Sequence, residues 1–317
     1  MPSSSVGSRT STAASRISAG RAVVAGQSFA PPPARPTAPS DERVRMLVGA
    51  ALSEDIGAGD ATTDALVPPG ARARGRLIAK EELVVCGLAF AREAFRALDP
   101  GTRWKETTDE GALVASGATI AEVEGSARAV LTAERTALNF LQRLSGIATS
   151  ARRAVAEVSG TRAVVLDTRK TTPTLRDLEK YAVRTGGAAN HRAGLSEAVL
   201  VKDNHIAICG GIAEAVRRAR AAGYEPGTIE VEVDDLAGLR EALGCGVGRV
   251  LLDNFSPDEA ARAVSEAAGR ARIEVSGGLR PGALRAFADS GAEFLSLGSL
   301  THSARAVDIS LEVEALP

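Results

Sequence analysis

No apolar run in these 317 residues approaches the roughly 20 that a membrane-crossing helix needs, so the sequence reads as a soluble protein with no membrane partner. Cysteine is scarce. Cys86, Cys209 and Cys245 are scattered and form no CxxC pair, which supports neither a disulfide framework nor a zinc site and fits a reducing cytoplasm. Excess charge is missing as well: 38 Lys and Arg against 39 Asp and Glu leave a net charge of −1. That argues against a general polyanion binder, and so against nucleic acid as a partner, while leaving room for a local basic cleft. No GxGxxG opens a helix after the first strand, so a dinucleotide has no supporting motif. Histidine is rare too, at three, yet two of the three bracket one short apolar run in His191 to His205, HRAGLSEAVLVKDNH.

Residues 1–40 lack acids altogether. They carry four Arg among many Ser, Ala and Pro, a composition that cannot build a core and is expected to stay disordered. An organelle transit peptide and an Ala- and Arg-rich bacterial extension would both look like this.

What is present beyond residue 40 falls into two patterns. Glu42–Ser53 repeats apolar residues at helical spacing, Arg74–Val85 alternates like a strand or hairpin, and Leu88–Leu98 reads as a helix stopped by Asp99-Pro100-Gly101. This is a mixed α/β layer. Thr132 can then cap a long bridging helix to about Ala154. Beyond it, six short apolar runs alternate with helix-like segments: 163–166, 198–201, 229–233, 250–252, 273–275 and 294–297. Near-continuous hydrophobic strands separated by helices mark a buried parallel sheet, and six units in succession suggest a βα barrel, with a doubly wound sheet as the rival.

In such a barrel, chemistry sits at the carboxyl ends of the strands. Those positions hold Asp167-Thr168-Arg169-Lys170, then Lys202-Asp203-Asn204-His205, Glu230 and Glu232 on the third strand, Asp253-Asn254, Ser276-Gly277-Gly278 and Gly298-Ser299. The glycine-rich ends suit phosphate, because backbone N–H groups can approach it closely there. Arg169, His191, Arg192 and Lys202 offer cations for a small dianionic acid. Glu232 and Asp253 could hold magnesium, directly or through water, or stabilise a developing positive charge. Together the residues describe an enzyme joining a phosphorylated molecule to a small organic acid.

Seven segments resemble the quinolinate phosphoribosyltransferase family: ERTALNFLQRLSGIAT (134–149), DTRKTTPTLRDLEKYAV (167–183), GGAANHRAGLSEAVLVKDNHI (186–206), EVEVDDL (230–236), LLDNFSP (251–257), VSGGL (275–279) and LGSLTHSARAVDISLEV (297–313). The resemblance spans about residues 42–315. It implies an N-terminal α/β sandwich domain (41–148), joined by a returning C-terminal segment (303–317), and an open, incomplete α/β barrel (149–302). It implies that quinolinate and phosphoribosyl pyrophosphate give nicotinate mononucleotide, pyrophosphate and CO₂ with Mg²⁺, a step of NAD biosynthesis. By the same resemblance, Arg169, His191, Arg192 and Lys202 bind the two quinolinate carboxylates, and Arg135 joins them from the other subunit of a homodimer with shared sites, or of a hexamer. Lys170, Glu232, Asp253, Ser276, Gly277, Gly278 and Gly298 serve the phosphoribosyl pyrophosphate and its metal, with Thr168, Leu297 and Ser299 as further substrate contacts. Lys170, Glu232 and Asp253 are the expected catalytic set. A paralogous transferase for another acid, or a non-catalytic relative, is the alternative.

Overall fold

A computed structural model describes residues 37–317; the expectation for the N-terminal tail falls, over residues 1–36, outside the described residues. The first region contains α1 (Asp41–Ile56), α2 (Ala61–Leu66), β1 (Arg72–Ala79), β2 (Leu83–Val84) and α3 (Leu88–Leu98). It continues with β3 (Arg103–Glu106), β4 (Leu113–Val114) and β5 (Thr119–Ser126), and leads into α4 (Ala127–Glu157). Next come β6 (Val164–Leu166), α5 (Arg176–Thr185), β7 (Val199–Val201), α6 (Asp203–Cys209) and α7 (Ile212–Ala221). Three strand–helix units follow: β8 (Ile229–Val233) with α8 (Leu236–Gly244), β9 (Arg249–Asp253) with α9 (Pro257–Ala267), and β10 (Arg272–Ser276) with α10 (Leu284–Asp289). The chain closes with β11 (Phe294–Ser296), α11 (Ser299–His302) and β12 (Ile309–Leu316).

Local chemistry explains the boundaries. Ser40 caps α1 by accepting from the Arg43 amide, and Asp41 and Glu42 complement its dipole. Ser256 and Glu259 close a capping box on α9, with Pro257 in the first turn. The helix expected to start at Thr132 begins earlier, at Ala127. Thr132 is one turn inside it, and its hydroxyl donates to Asp60 Oδ2 at 2.9 Å, tying α4 to the cap of α2. Along α4, Leu138, Leu141, Leu144 and Ile147 are buried, and Phe140 stacks on Phe90 of α3 with centroids 5.0 Å apart. Full burial of each such aliphatic side chain stabilises the fold by about 1.5–3 kcal/mol.

Two sheets flank this helix. The first is antiparallel in the order β12-β1-β5-β3, so the end of the chain returns to pair along the whole of β1, from Arg72 opposite Leu316 to Ala79 opposite Ile309. The second is six-stranded with the order β6-β11-β10-β9-β8-β7, parallel throughout. From β7 to β11 each strand lies beside its sequence neighbour, and β6 then joins β11. A doubly wound sheet would reverse direction in mid-sheet; this one winds round as a barrel and stops short of closure, open between β6 and β7. A strand-like bridge pairs Ala189 with Leu166 at that opening. The site region grows from this gap.

Candidate functional site at the open barrel mouth

The gap is held by a buried ion pair. Asp167, just beyond β6, is fully buried, and its Oδ1 takes the Lys180 ammonium from α5 at 2.6 Å and the His191 amide at 2.8 Å. Its Oδ2 accepts from Asn190 at 2.6 Å, and Lys180 also donates to the His191 carbonyl at 2.8 Å. Burial raises the Asp167 pKa and lowers that of Lys180, each opposed by the other's charge. The pair thus holds the His191–Arg192 turn in place, and its net worth to stability is small once desolvation is counted.

Cations gather on this frame. Arg192 donates to the Ala198 carbonyl at 3.0 Å, while burial and the nearby Arg169 charge hold its guanidinium below the usual arginine range. Arg169 has a buried Nε with no hydrogen-bond partner among the described residues. Lys202 follows β7, occupies the N-cap position of α6 and forms an ion pair with Glu232 of β8. Lys170 is exposed, its carbonyl accepts from Thr301 Oγ1 at 2.8 Å, and its amide donates to Thr168 Oγ1 at 3.0 Å. Its stem packs over Gly298, where a Cβ would stand 3.0 Å from Lys170 Cδ.

The glycine-rich ends lie on the other strands. Gly277 has φ +83°, and a Cβ there would meet Asn254 Oδ1 at 2.4 Å and Asp253 Oδ1 at 2.6 Å, so only glycine lets this loop close over the end of β9. Asn254 adopts φ +60°, its amide donates to the Ser276 carbonyl at 3.0 Å, and its side chain donates to Asp253 Oδ2 at 2.7 Å. Ser276 and Gly278 flank Gly277, and Ser299 carries a buried hydroxyl with no hydrogen-bond partner among the described residues. Glu232 and Asp253, on adjacent strands, present hard carboxylate oxygens, a donor set that fits magnesium when water and phosphate oxygens complete the shell.

Three expected residues are placed differently from this group. Leu297 is 1% exposed and spends its amide on the Leu166 carbonyl, so it offers a ligand neither side chain nor N–H. His191 turns inward: Nδ1 accepts from the Arg192 amide at 2.8 Å, and Nε2 lies 3.3 Å from Glu230 and 3.5 Å from Glu274. Burial lowers the pKa of its ring, but the two carboxylates outweigh it and the net shift is upward. Arg135 is exposed on α4 with no hydrogen-bond or ion-pair partner among the described residues.

Several supporting residues carried no sequence signal of their own. Arg143 on α4 donates to Glu179 of α5 at 2.8 Å and to the carbonyls of Thr301 and Ala304, each at 2.6 Å. Glu179 in turn accepts from the amide and hydroxyl of Thr172. One guanidinium therefore links the loop after β6, which carries Lys170, to the segment carrying Gly298. Glu230 stood out in the sequence beside Glu232, and Glu274 could have been suspected in the same way, because a charged residue on a doubly covered strand needs a buried partner.

With this geometry in hand, residues 60–145 match the family described as quinolinate phosphoribosyl transferase, N-terminal domain, and residues 147–312 match its C-terminal domain. The chain belongs to the quinolinate phosphoribosyltransferase family. A protein of Bacillus subtilis named probable nicotinate-nucleotide pyrophosphorylase (carboxylating) is 41% identical over 271 residues, 86% of this chain and 93% of that one. The solved nicotinate-nucleotide pyrophosphorylase of Francisella tularensis superposes with a TM-score of 0.82 at 39% identity, over 88% of this chain and 99% of that one. A human nicotinic acid phosphoribosyltransferase, at 13% identity and a TM-score of 0.56 over 89% of this chain and 74% of that one, shares the fold alone.

Proposed function

We propose that this quinolinate phosphoribosyltransferase family member converts quinolinate and phosphoribosyl pyrophosphate to nicotinate mononucleotide, pyrophosphate and CO₂. The observation that carries the reading is the gathering of Arg169, Arg192 and Lys202 around the open edge between β6 and β7, across from the glycine-rich ends of β10 and β11. Arg169 stands close enough to lower the Arg192 pKa by like-charge repulsion, so an arriving dicarboxylate relieves that repulsion and is held by bidentate forks. A monocarboxylate would leave half of this set unpaired. Lys170, packed on Gly298, supports a subsite for the pyrophosphate end, together with the N–H groups of Gly277 and Gly278. No described helix is long and apolar enough to cross a membrane, and the reading is of a cytoplasmic enzyme.

The chemistry needs no covalent nucleophile. The pyridine nitrogen attacks the ribose C1 as the C1–O bond to pyrophosphate breaks, and Lys170 offsets the charge of the leaving group. Glu232 and Asp253 favour the cationic ribose. Magnesium, held by these two carboxylates directly or through water, would supply further neutralisation of the pyrophosphate oxygens. The alkylated ring is then an electron sink: the adjacent C–CO₂ bond breaks, its electron pair stays on the ring carbon, and that carbon takes a proton.

Turnover tests the reading directly. With quinolinate, phosphoribosyl pyrophosphate and magnesium, the chain should release nicotinate mononucleotide and CO₂ in equal amounts, and nicotinate should not replace quinolinate. Efficient nucleotide formation from nicotinate without CO₂ would overturn it. The unpartnered Arg135 favours a homodimer in which it completes the partner's acid subsite. Arg135→Ala and Arg169→Ala should each be inactive, and their mixture should recover about a quarter of wild-type activity after random subunit exchange. No recovery after verified exchange would place Arg135 in its own chain's site.

A further inference from the structure

Beneath the cation-lined mouth, the barrel interior holds a charged cluster that the proposed reaction does not use. Glu230 of β8, Arg249 of β9 and Glu274 of β10 are 1%, 4% and 0% exposed. Arg249 meets Glu274 Oε2 at 2.5 Å and stands 4.0 Å from Glu230, and Ser296 of β11 donates to Glu274 Oε1 at 2.5 Å. His191 Nε2 closes the cluster from above. The ligand atoms of His191, Glu230 and Glu274 lie within 4.8 Å of one another, a spacing that could suit a cation. Arg249 already stands against both carboxylates, however, and a second cation would meet its charge at short range.

The partners settle which ring nitrogen carries the proton. Nδ1 accepts the Arg192 amide at 2.8 Å, so in the neutral ring Nε2 bears the hydrogen, and it faces the two carboxylates at ion-pair distance without an aligned hydrogen bond to either. Glu274 is pinned by Arg249 and Ser296. Glu230 is the nearer carboxylate, and its second oxygen, Oε1, is buried, stands 4.0 Å from Arg249 and makes no hydrogen bond among the described residues. The order of contact therefore runs from Glu230 to the imidazole, from the imidazole to the Arg192 amide, and from there to the guanidinium at the mouth.

We propose that Glu230 is a positioning residue for the acid subsite: it orients the His191 ring, and through Nδ1 that ring holds Arg192 where a carboxylate is received. This rests on the proposed function for its substrate. In this arrangement His191 acts on the acid through Arg192. Because Glu230 is two residues below Glu232 on the same face of β8, the strand that presents an acid to the mouth also anchors the cation loop beneath it.

Glu230→Leu is the sharp test, because it leaves the Arg249–Glu274 pair intact. The KM for quinolinate should rise about tenfold or more, as when a buried partner of a ligand-binding group is lost, while kcat and the KM for phosphoribosyl pyrophosphate move by less than about threefold. Glu230→Gln, which keeps an acceptor oxygen, should recover most of the loss. In ¹⁵N-histidine spectra at alkaline pH, the wild-type His191 ring should be the Nε2–H tautomer, and Glu230→Leu should mix the tautomers. An unchanged quinolinate KM in folded Glu230→Leu overturns the proposal, as does a loss spread equally over kcat and both KM values that Gln fails to rescue. Should the Leu variant not fold, a wild-type ring protonated at Nδ1 overturns it just as well. If the wild type makes no nucleotide from quinolinate, the functional reading fails, and the ring spectra still decide whether Glu230 orients His191.

Discussion

The antiparallel sheet and the barrel both place arginine beside glutamate on neighbouring strands, yet water makes the two arrangements different objects. On the outer face of β12-β1-β5-β3, Arg74 reaches Glu124 at 3.3 Å and Glu314 at 3.2 Å, with its side chain 43% exposed. Arg76 and Lys80 share Glu312 in the same way. These groups keep most of their hydration, so each pair contributes about 0–1 kcal/mol and fades with salt. Inside the barrel, Arg249 and Glu274 have lost their water. Burial, then the charge of Glu230, pushes the Glu274 carboxyl up to about 7. A buried pair gains little over apolar packing, but losing one member strands the other. Solvated pairs dress an exposed sheet face cheaply, whereas buried ones can hold a group at a fixed spot under the site.

That contrast can be broken most easily at Arg249. Arg249→Leu should cost about 3–5 kcal/mol in urea unfolding at pH 8, because Glu230 and Glu274 are left facing each other. The cost should shrink at low pH, and the sign follows from linkage. The folded pKa of Glu274 is already raised above its ordinary 4.5, and losing Arg249 raises it further. Stability tied to that proton is fully present below about 4.5 and is lost as pH rises through the folded value near or above 7. A deficit equal at pH 5 and pH 8 would show that the carboxylates are not the cause.

A half-buried pair should fall between the extremes. Arg143→Met keeps the stem but loses the bonds to Glu179, Thr301 and Ala304, for about 2 kcal/mol of stability. Turnover should drop by roughly tenfold to a hundredfold as the Lys170 and Gly298 segments lose their common tie. Full activity in a folded Arg143→Met would reduce that guanidinium to ordinary packing. The smallest effect belongs to the exposed ladder. Arg74→Ala should cost less than about 1 kcal/mol, vanish near about 1 M salt, and leave turnover unchanged. A larger, salt-insensitive loss would erase the distinction between the two regions.

The strand–helix alternation was legible because buried parallel strands are runs of Val, Leu and Ile, and all six apolar runs coincide closely with β6, β7, β8, β9, β10 and β11. The bridge at Ala189 beside β6 has no comparable run, and nothing in the local sequence marks it. Thr132 has the chemistry of a cap, yet α4 starts earlier, at Ala127, and Thr132 spends its hydroxyl on Asp60, far away in sequence. In the site, strand-end residues could be read from their place after each apolar run. Their supports could not, since Arg143, Glu179 and Arg249 lie in segments whose local pattern is ordinary helix or strand.

By itself, then, the sequence determined which elements form, which residues stand at the strand ends, and the family to which those motifs belong. These depend on local propensity, on period, and on short motifs contiguous in the chain. The resemblance already implied an open barrel; only the tertiary structure decided that the opening lies between β6 and β7, that His191 faces inward, and that Glu230 lies beneath it. Strand order, and the partner found by a buried charge, depend on which distant segments share the same dry interior, and no local window of sequence contains that information.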